Sequence, residues 1–203
     1  MNQVEVALDT IPVHVTVNSE PRLSHRPSGL YPMFLLAVLA TVMMLFAAFT
    51  AALIVRRNGS DWVPVQIPSV AWLNTVFIVT SSILLECAKK AFSRGNGPRA
   101  SLWLGYSIAL GVLFLIGQLI AWSVLKNQGF LLSTNTHAAF FYMLSGVHGA
   151  HVLGGIGVLV WTLRRALAGA YGIDQYRGVA HAAIYWHCVG AVWIHLLVLL
   201  SIT

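Results

Sequence analysis

Two histidines stand three residues apart inside a long apolar segment, and metal binding is the chemistry that such a pair could support. His148 and His151 lie less than one helical turn apart, so both rings share one face of a helix. A zinc site needs three or four ligands, and no carboxylate or thiolate accompanies the pair. The spacing therefore favours neutral imidazoles that pack and hydrogen-bond to neighbouring helices or to lipid head groups.

Four histidines also fit the spacing of a b-type haem electron carrier. His137 precedes His151 by 14 residues, and His181 precedes His195 by the same interval. On one helix this interval places two rings about 21 Å apart on nearly the same face, as two stacked haems would require. The two pairs are offset in depth by roughly 12 Å, and aligning them would push the end of the last helix into water. A haem carrier remains an alternative of another class.

Glu86 is the one acidic residue that borders an apolar segment. A carboxylate at this position could handle protons within the membrane. It also precedes Lys90 by four residues, the spacing of a helical ion pair. We expect the ion pair at the membrane interface and keep proton handling as the alternative.

Further polar and aromatic residues recur within the apolar segments. In lipid such groups usually bond or pack between helices, because an unpaired polar group is costly there. We expect them to serve in helix packing or lipid contact. They are Asn74, Ser81 and Ser82 in the second apolar segment, Gln118 in the third, and Tyr185, Trp186, His187 and Trp193 in the fifth.

A row of small residues lies on the fourth apolar segment. Gly146, Ala150 and Gly154 follow one another at four-residue spacing and would form one ridge on a helix. Such a ridge lets another helix approach closely in a membrane. We therefore expect this helix inside the bundle or at a subunit contact.

Five segments are long and apolar enough to cross a bilayer, which takes about 20 helical residues. The connectors between them are too short for an extramembrane domain, and residues 1–30 form an N-terminal arm. The sequence thus predicts an all-α integral membrane bundle of five transmembrane helices spanning residues 31–203. The predicted helices are 31–55, 69–88, 101–125, 138–163 and 180–203.

The composition supports a protein dissolved mainly in lipid. Hydrophobic residues make up 58% and charged residues 9% of the chain, whereas soluble domains are about one quarter charged. The net charge of +6 comes from short clusters between the apolar segments, which argues against nucleic-acid binding. Scarce intramembrane charges and the lack of internal repeats disfavour a small transporter.

The placement of lysine and arginine predicts the orientation in the membrane. Nine of the twelve basic residues fall in the N-terminal arm and the second and fourth loops, which lie on one side. Because basic loops stay in the cytoplasm, we expect a cytoplasmic N-terminus and an external C-terminus.

The ordered series of motifs carries a family resemblance. It comprises Leu73-Asn74-Thr75 with Ser81, Ser82 and Ala88, then Gln118, then Phe140-Phe141-Tyr142 with Gly146, His148 and His151, and finally Tyr185-Trp186-His187 with Trp193. This series resembles subunit III of the haem–copper respiratory oxidases, including cytochrome c oxidase, in the short five-helix bacterial form.

The resemblance implies an accessory subunit in a bacterial cytoplasmic membrane, without catalytic residues, metal or cofactor of its own. Haem and copper would reside in subunits I and II of a complex that transfers electrons from cytochrome c to dioxygen. Subunit III would pack directly on subunit I and bind structural phospholipid. A quinol oxidase or a homologue linked to nitric oxide reductase shares the same motifs.

Two positions depart from the family pattern. The family usually has an acidic residue on the first of the five helices, and residues 31–55 contain none. The position of the usual aspartate on the last helix is Gly190. Both departures remove carboxylates, so packing and lipid binding are expected here rather than direct proton transfer.

Overall fold

Five long helices make up the fold. The computed structural model describes residues 30–59, 62, 64–130, 135–169 and 177–202, and within these ranges regular structure is helical throughout. All five helices are long and apolar enough to span a membrane, which confirms the predicted fold class. The predicted N-terminal arm, residues 1–30, lies outside the described residues except for Leu30, the first residue of α1. The helices are α1 Leu30–Arg56, α2 Ser69–Ser93, α3 Gly97–Asn127, α4 Thr136–Leu167 and α5 Arg177–Ile202.

Local sequence signals set several helix ends. The Asn96 and Asn135 side chains accept hydrogen bonds from backbone N–H groups in the first turns of α3 and α4, which would otherwise lack partners. Gly95, Gly129 and Gly169 have positive φ angles and follow the ends of α2, α3 and α4, where only glycine adopts this conformation without strain. The end of α2 at Ser93 lies five residues beyond the predicted end at residue 88.

Four of the helices close into a ring. α2 packs most extensively on α3, α3 on α4, α4 on α5, and α5 back on α2, while α1 packs only against α5 and α4. The α3 and α5 backbones are not neighbours, so long side chains must fill the space between them. Trp186 and Trp193 of α5 lie in this central space, where they contact Gly111 and Phe114 of α3.

Candidate functional site

Trp186 lies at the centre of the four-helix ring and contacts all three of the other helices. Its side chain is fully buried, and its indole Nε1 donates to Ser81 Oγ on α2 at 3.1 Å. The ring fills the space left by Gly111 on α3 and Gly155 on α4, where any Cβ would lie within about 3 Å of the indole. Two glycines and a serine therefore form the slot that holds this side chain.

The Ser81 end of this slot also joins α2 to α3. The Ser81 hydroxyl lies 2.8 Å from the Ser107 carbonyl oxygen, and the Ser107 hydroxyl lies 2.9 Å from the Ser81 carbonyl oxygen. These reciprocal bonds satisfy both buried hydroxyls at the most extensive helix contact of the chain. Ser107 was not singled out from the sequence, because its partner is on another helix.

His148 lies among aromatic rings from three other helices. Its ring centroid is 6.2 Å from Phe46 on α1, 5.7 Å from Phe114 on α3 and 5.3 Å from Trp193 on α5. The histidine is buried, and neither ring nitrogen has a hydrogen-bond partner among the described residues. The His148 ring therefore packs between helices, and its predicted hydrogen bond to a neighbouring helix is not formed among the described residues.

His151 and Tyr185 join α4 to α5 one turn further on. The imidazole Nδ1 of His151 donates to the Val147 carbonyl of its own helix at 2.8 Å. The Tyr185 hydroxyl donates to the His151 carbonyl at 3.1 Å. His151 thus contributes its backbone to the interhelical contact, and its ring bonds within α4.

A second buried polar group links α2 with α3 and α5. Trp193 donates from Nε1 to Thr75 Oγ1 at 3.1 Å, and Asn74 Nδ2 donates to Gln118 Oε1 at 3.4 Å. Asn74 lies directly against Gly117, where an added Cβ would overlap its amide group. Asn74, Gln118 and Trp193 from the sequence motifs therefore hold three helices together.

Glu86 forms an ion pair, but its partners differ from the predicted one. The carboxylate contacts Lys89 Nζ at 2.7 Å and His187 Nε2 on α5 at 2.9 Å, and Lys90 is exposed. The prediction of a Lys90 partner was therefore wrong by one residue. Because both Glu86 and His187 are about one third exposed, at 34% and 37%, each of these contacts contributes modestly to stability.

An apolar groove of about 360 Å³ runs along the surface between α2 and α5, with the Glu86–His187 pair at one end. It is present because Gly190 and Ala191 carry little or no side chain. A Cβ at Gly190 would only touch Ser82 and Ile78, at 3.6 and 3.7 Å, so a larger residue would enter the groove. The lining residues are Ile78, Val79, Ser82, Ile83, Glu86, His187, Gly190, Ala191 and Ile194.

The predicted small-residue ridge on α4 is not a contact between helices of this chain. Ala150 and Gly154 are exposed and Gly146 is half-buried, with only the Trp122 and Tyr185 side chains reaching the two glycines. The close approach on α4 occurs instead at Gly155, against Trp186. The ridge is therefore not a close helix contact among the described residues, and its predicted contact with another subunit stays a prediction.

Two of the histidines of the haem alternative, His137 and His195, have hydrogen-bond partners on other parts of the chain. His137 Nδ1 accepts from the Val65 backbone N–H at 2.9 Å, and His195 Nε2 forms a hydrogen bond with Thr50 Oγ1 on α1 at 3.1 Å. Across the described part of the chain, no group of three or more histidine, cysteine or acidic residues is placed to hold a metal ion. The described side chains are thus arranged to join helices and to line an apolar groove.

Comparisons with known proteins agree with the motif series. Residues 27–202 match the family model of cytochrome c oxidase subunit III. Cytochrome c oxidase subunit 3 of Thermostichus vulcanus is 33% identical over 175 residues, covering 83% of this chain and 84% of that protein. The Synechocystis protein of the same name is also 33% identical, over 156 residues, covering 74% of this chain and 66% of its own length, just under two thirds.

Proposed function

Because the chain belongs to the cytochrome c oxidase subunit III family, we propose that it packs on subunit I of its oxidase and holds phospholipid in the α2–α5 groove. As a member of this family it is a multi-pass membrane protein and an accessory subunit of a haem–copper oxidase. In this complex, haem and copper reside in subunits I and II, cytochrome c is the electron donor and dioxygen is the acceptor. The chain lies in the bacterial cytoplasmic membrane with its N-terminus in the cytoplasm.

The arrangement of the motif residues supports a scaffolding role. Trp186 and Trp193 are buried and bond to α2, and His148 packs among rings from three helices. Each is used inside the bundle and none faces a space in which a reaction could occur. We accordingly assign Glu86 to the ion pair with Lys89 and to the contact with His187 that joins α2 to α5, rather than to proton transfer.

The groove is the single observation that most supports lipid binding. Its walls are aliphatic along about 12 Å, from Ile78 to Glu86, a shape suited to part of an acyl chain. Lys89 and His187 lie at one end, where a head group would find hydrogen-bond donors. Basic residues near a membrane surface attract phospholipid head groups, so the polar end and the apolar walls match the two parts of one phospholipid.

Filling the groove tests the lipid proposal. Gly190→Leu places an isobutyl group between α2 and α5, and we expect the purified complex to lose about one phospholipid per chain. Native mass spectrometry and phosphorus analysis measure this loss. Gly157→Leu is the matched control, because a Cβ there meets nothing within 4 Å. An unchanged lipid count in the Gly190→Leu complex would contradict the assignment of the groove.

Purification from native membranes tests the assignment to a complex. In mild detergent we expect the chain to co-elute with a larger partner that carries haem and copper, and chemical cross-links should join it to that partner. After separation, the chain alone should show no haem absorption on dithionite reduction. A b-type band stoichiometric with the isolated chain would instead favour the haem-carrier alternative.

A further inference from the structure

The buried histidine His137 forms a hydrogen bond to a loop, and this contact has no part in the proposed function. His137, the second residue of α4, accepts a 2.9 Å hydrogen bond at Nδ1 from the backbone N–H of Val65, in the connection between α1 and α2. A histidine nitrogen accepts a hydrogen bond only when it carries no proton. The contact therefore requires the neutral ring, with its proton on Nε2.

The surroundings of His137 are apolar. Trp62 stacks on the imidazole with ring centroids 4.8 Å apart and planes 23° from parallel, and Val65 is buried with Ala138 and Leu200 in one hydrophobic cluster. Among the described residues, the backbone of Leu200 is the other polar group that acts on the ring, and none of them forms a hydrogen bond of acceptable geometry with Nε2. Among the described residues of α1, α4, α5 and this connection, no charged side chain interacts with the imidazole.

We propose that His137 is a pH-sensitive latch, whose neutral ring holds residues 64–68 against the end of the bundle and whose protonation releases them. Protonation converts Nδ1 from an acceptor into a donor that faces the Val65 N–H, so the hydrogen bond is lost. It also places a positive charge in an apolar site where none of the described residues supplies a counter-ion, which is strongly unfavourable. Separation of residues 64–68 from α4 exposes the charged ring to water.

Residues 64–68 have few other backbone N–H groups that could hold them to the bundle in place of the Val65 amide. Pro64 and Pro68 carry no amide hydrogen, so Val65 supplies one of three amide donors between residues 64 and 68. Since the bond forms only with neutral imidazole, the latch is closed at higher pH and opens as the pH falls. By the distribution of basic residues, this end of the bundle faces the outside of the cell.

Hydrogen exchange of the intact oxidase complex tests the latch. After correction for the intrinsic exchange rate, the Val65 amide should exchange about tenfold faster at about pH 5 than at about pH 8. His137→Gln keeps an acceptor that does not titrate, and its Val65 exchange should lose the pH dependence. His137→Phe keeps a ring against Trp62 but has no acceptor, so fast exchange is expected at both pH values.

A control and a spectroscopic readout complete the test. His195→Gln changes a histidine that bonds to α1, and it should leave the Val65 response unaltered. In the unmodified protein, nitrogen NMR should show His137 with an unprotonated Nδ1 at high pH and doubly protonated over the interval in which exchange accelerates. Two results would overturn the proposal. One is a Val65 exchange rate that does not depend on pH in the unmodified complex, and the other is an equally large pH dependence in His137→Gln.

Discussion

Replacing Trp186 with alanine is expected to destabilise the folded chain by about 3–5 kcal/mol. The substitution empties the centre of the four-helix ring, because the indole fills the slot between Gly111 and Gly155. It also removes the donor to Ser81. Within a bilayer, helices associate mainly through packing and hydrogen bonds, so this loss is not offset by hydrophobic attraction elsewhere. The loss of stability is measured as the decrease in the midpoint of thermal unfolding, with both proteins in the same detergent.

Trp161→Ala provides the matched control for this experiment. Trp161 is 54% exposed whereas Trp186 is fully buried, and its ring contacts the Arg165 guanidinium at 5.1 Å. An exposed cation–π contact contributes about 0.5–1 kcal/mol, so the control should remain close to the unmodified chain. Equal losses in the two variants would show that Trp186 is not a central packing residue.

The five helices could be predicted from the sequence because the length of each apolar segment is enough to identify it as a membrane-spanning helix. A segment of about 20 apolar residues with few charges has no other regular structure open to it in a bilayer. The helix ends were less certain, since α2 continues past Lys89 and Lys90 to Ser93. Charged side chains at a membrane edge extend into water while the backbone remains helical, so the end of an apolar segment need not end the helix.

The contacts between helices could not be predicted from the pattern of residues within each helix. Helical periodicity relates residues on one helix, and on that basis both Lys89 and Lys90 could reach Glu86. The position of α5, which brings His187 to the same carboxylate, follows from the packing of the whole bundle. The bond between His137 and Val65 joins residues 72 positions apart and has no local signal.

The small-residue ridge illustrates a second limit. Gly146, Ala150 and Gly154 satisfy the spacing rule for close helix approach, yet the tight contacts in the chain lie at Gly111, Gly117 and Gly155. In each of those three cases a particular side chain across the interface, Trp186 or Asn74, requires the missing Cβ. Spacing shows which glycines share a face, but it does not show which large residue lies opposite.

Gly117→Ala is expected to destabilise the chain by about 1–3 kcal/mol, although only one methyl group is added. The new Cβ would overlap the Asn74 amide, and Asn74 is fully buried, so its side chain has no free space to enter. Displacing it would also break the Asn74–Gln118 hydrogen bond at the junction of α2 and α3. The unfolding midpoint in detergent, compared with that of the unmodified chain, measures the cost.

Gly105→Ala separates this steric effect from the helix propensity of the two residues. Gly105 is also within α3, and a Cβ there meets nothing within 4 Å. Because alanine favours a helix interior by roughly 0.5–1 kcal/mol over glycine, this variant should be as stable as the unmodified chain or slightly more so. The two substitutions are chemically identical and lie on the same helix, so opposite signs would establish that the Asn74 contact makes glycine necessary at position 117. A loss of the same size in both variants would refute that assignment.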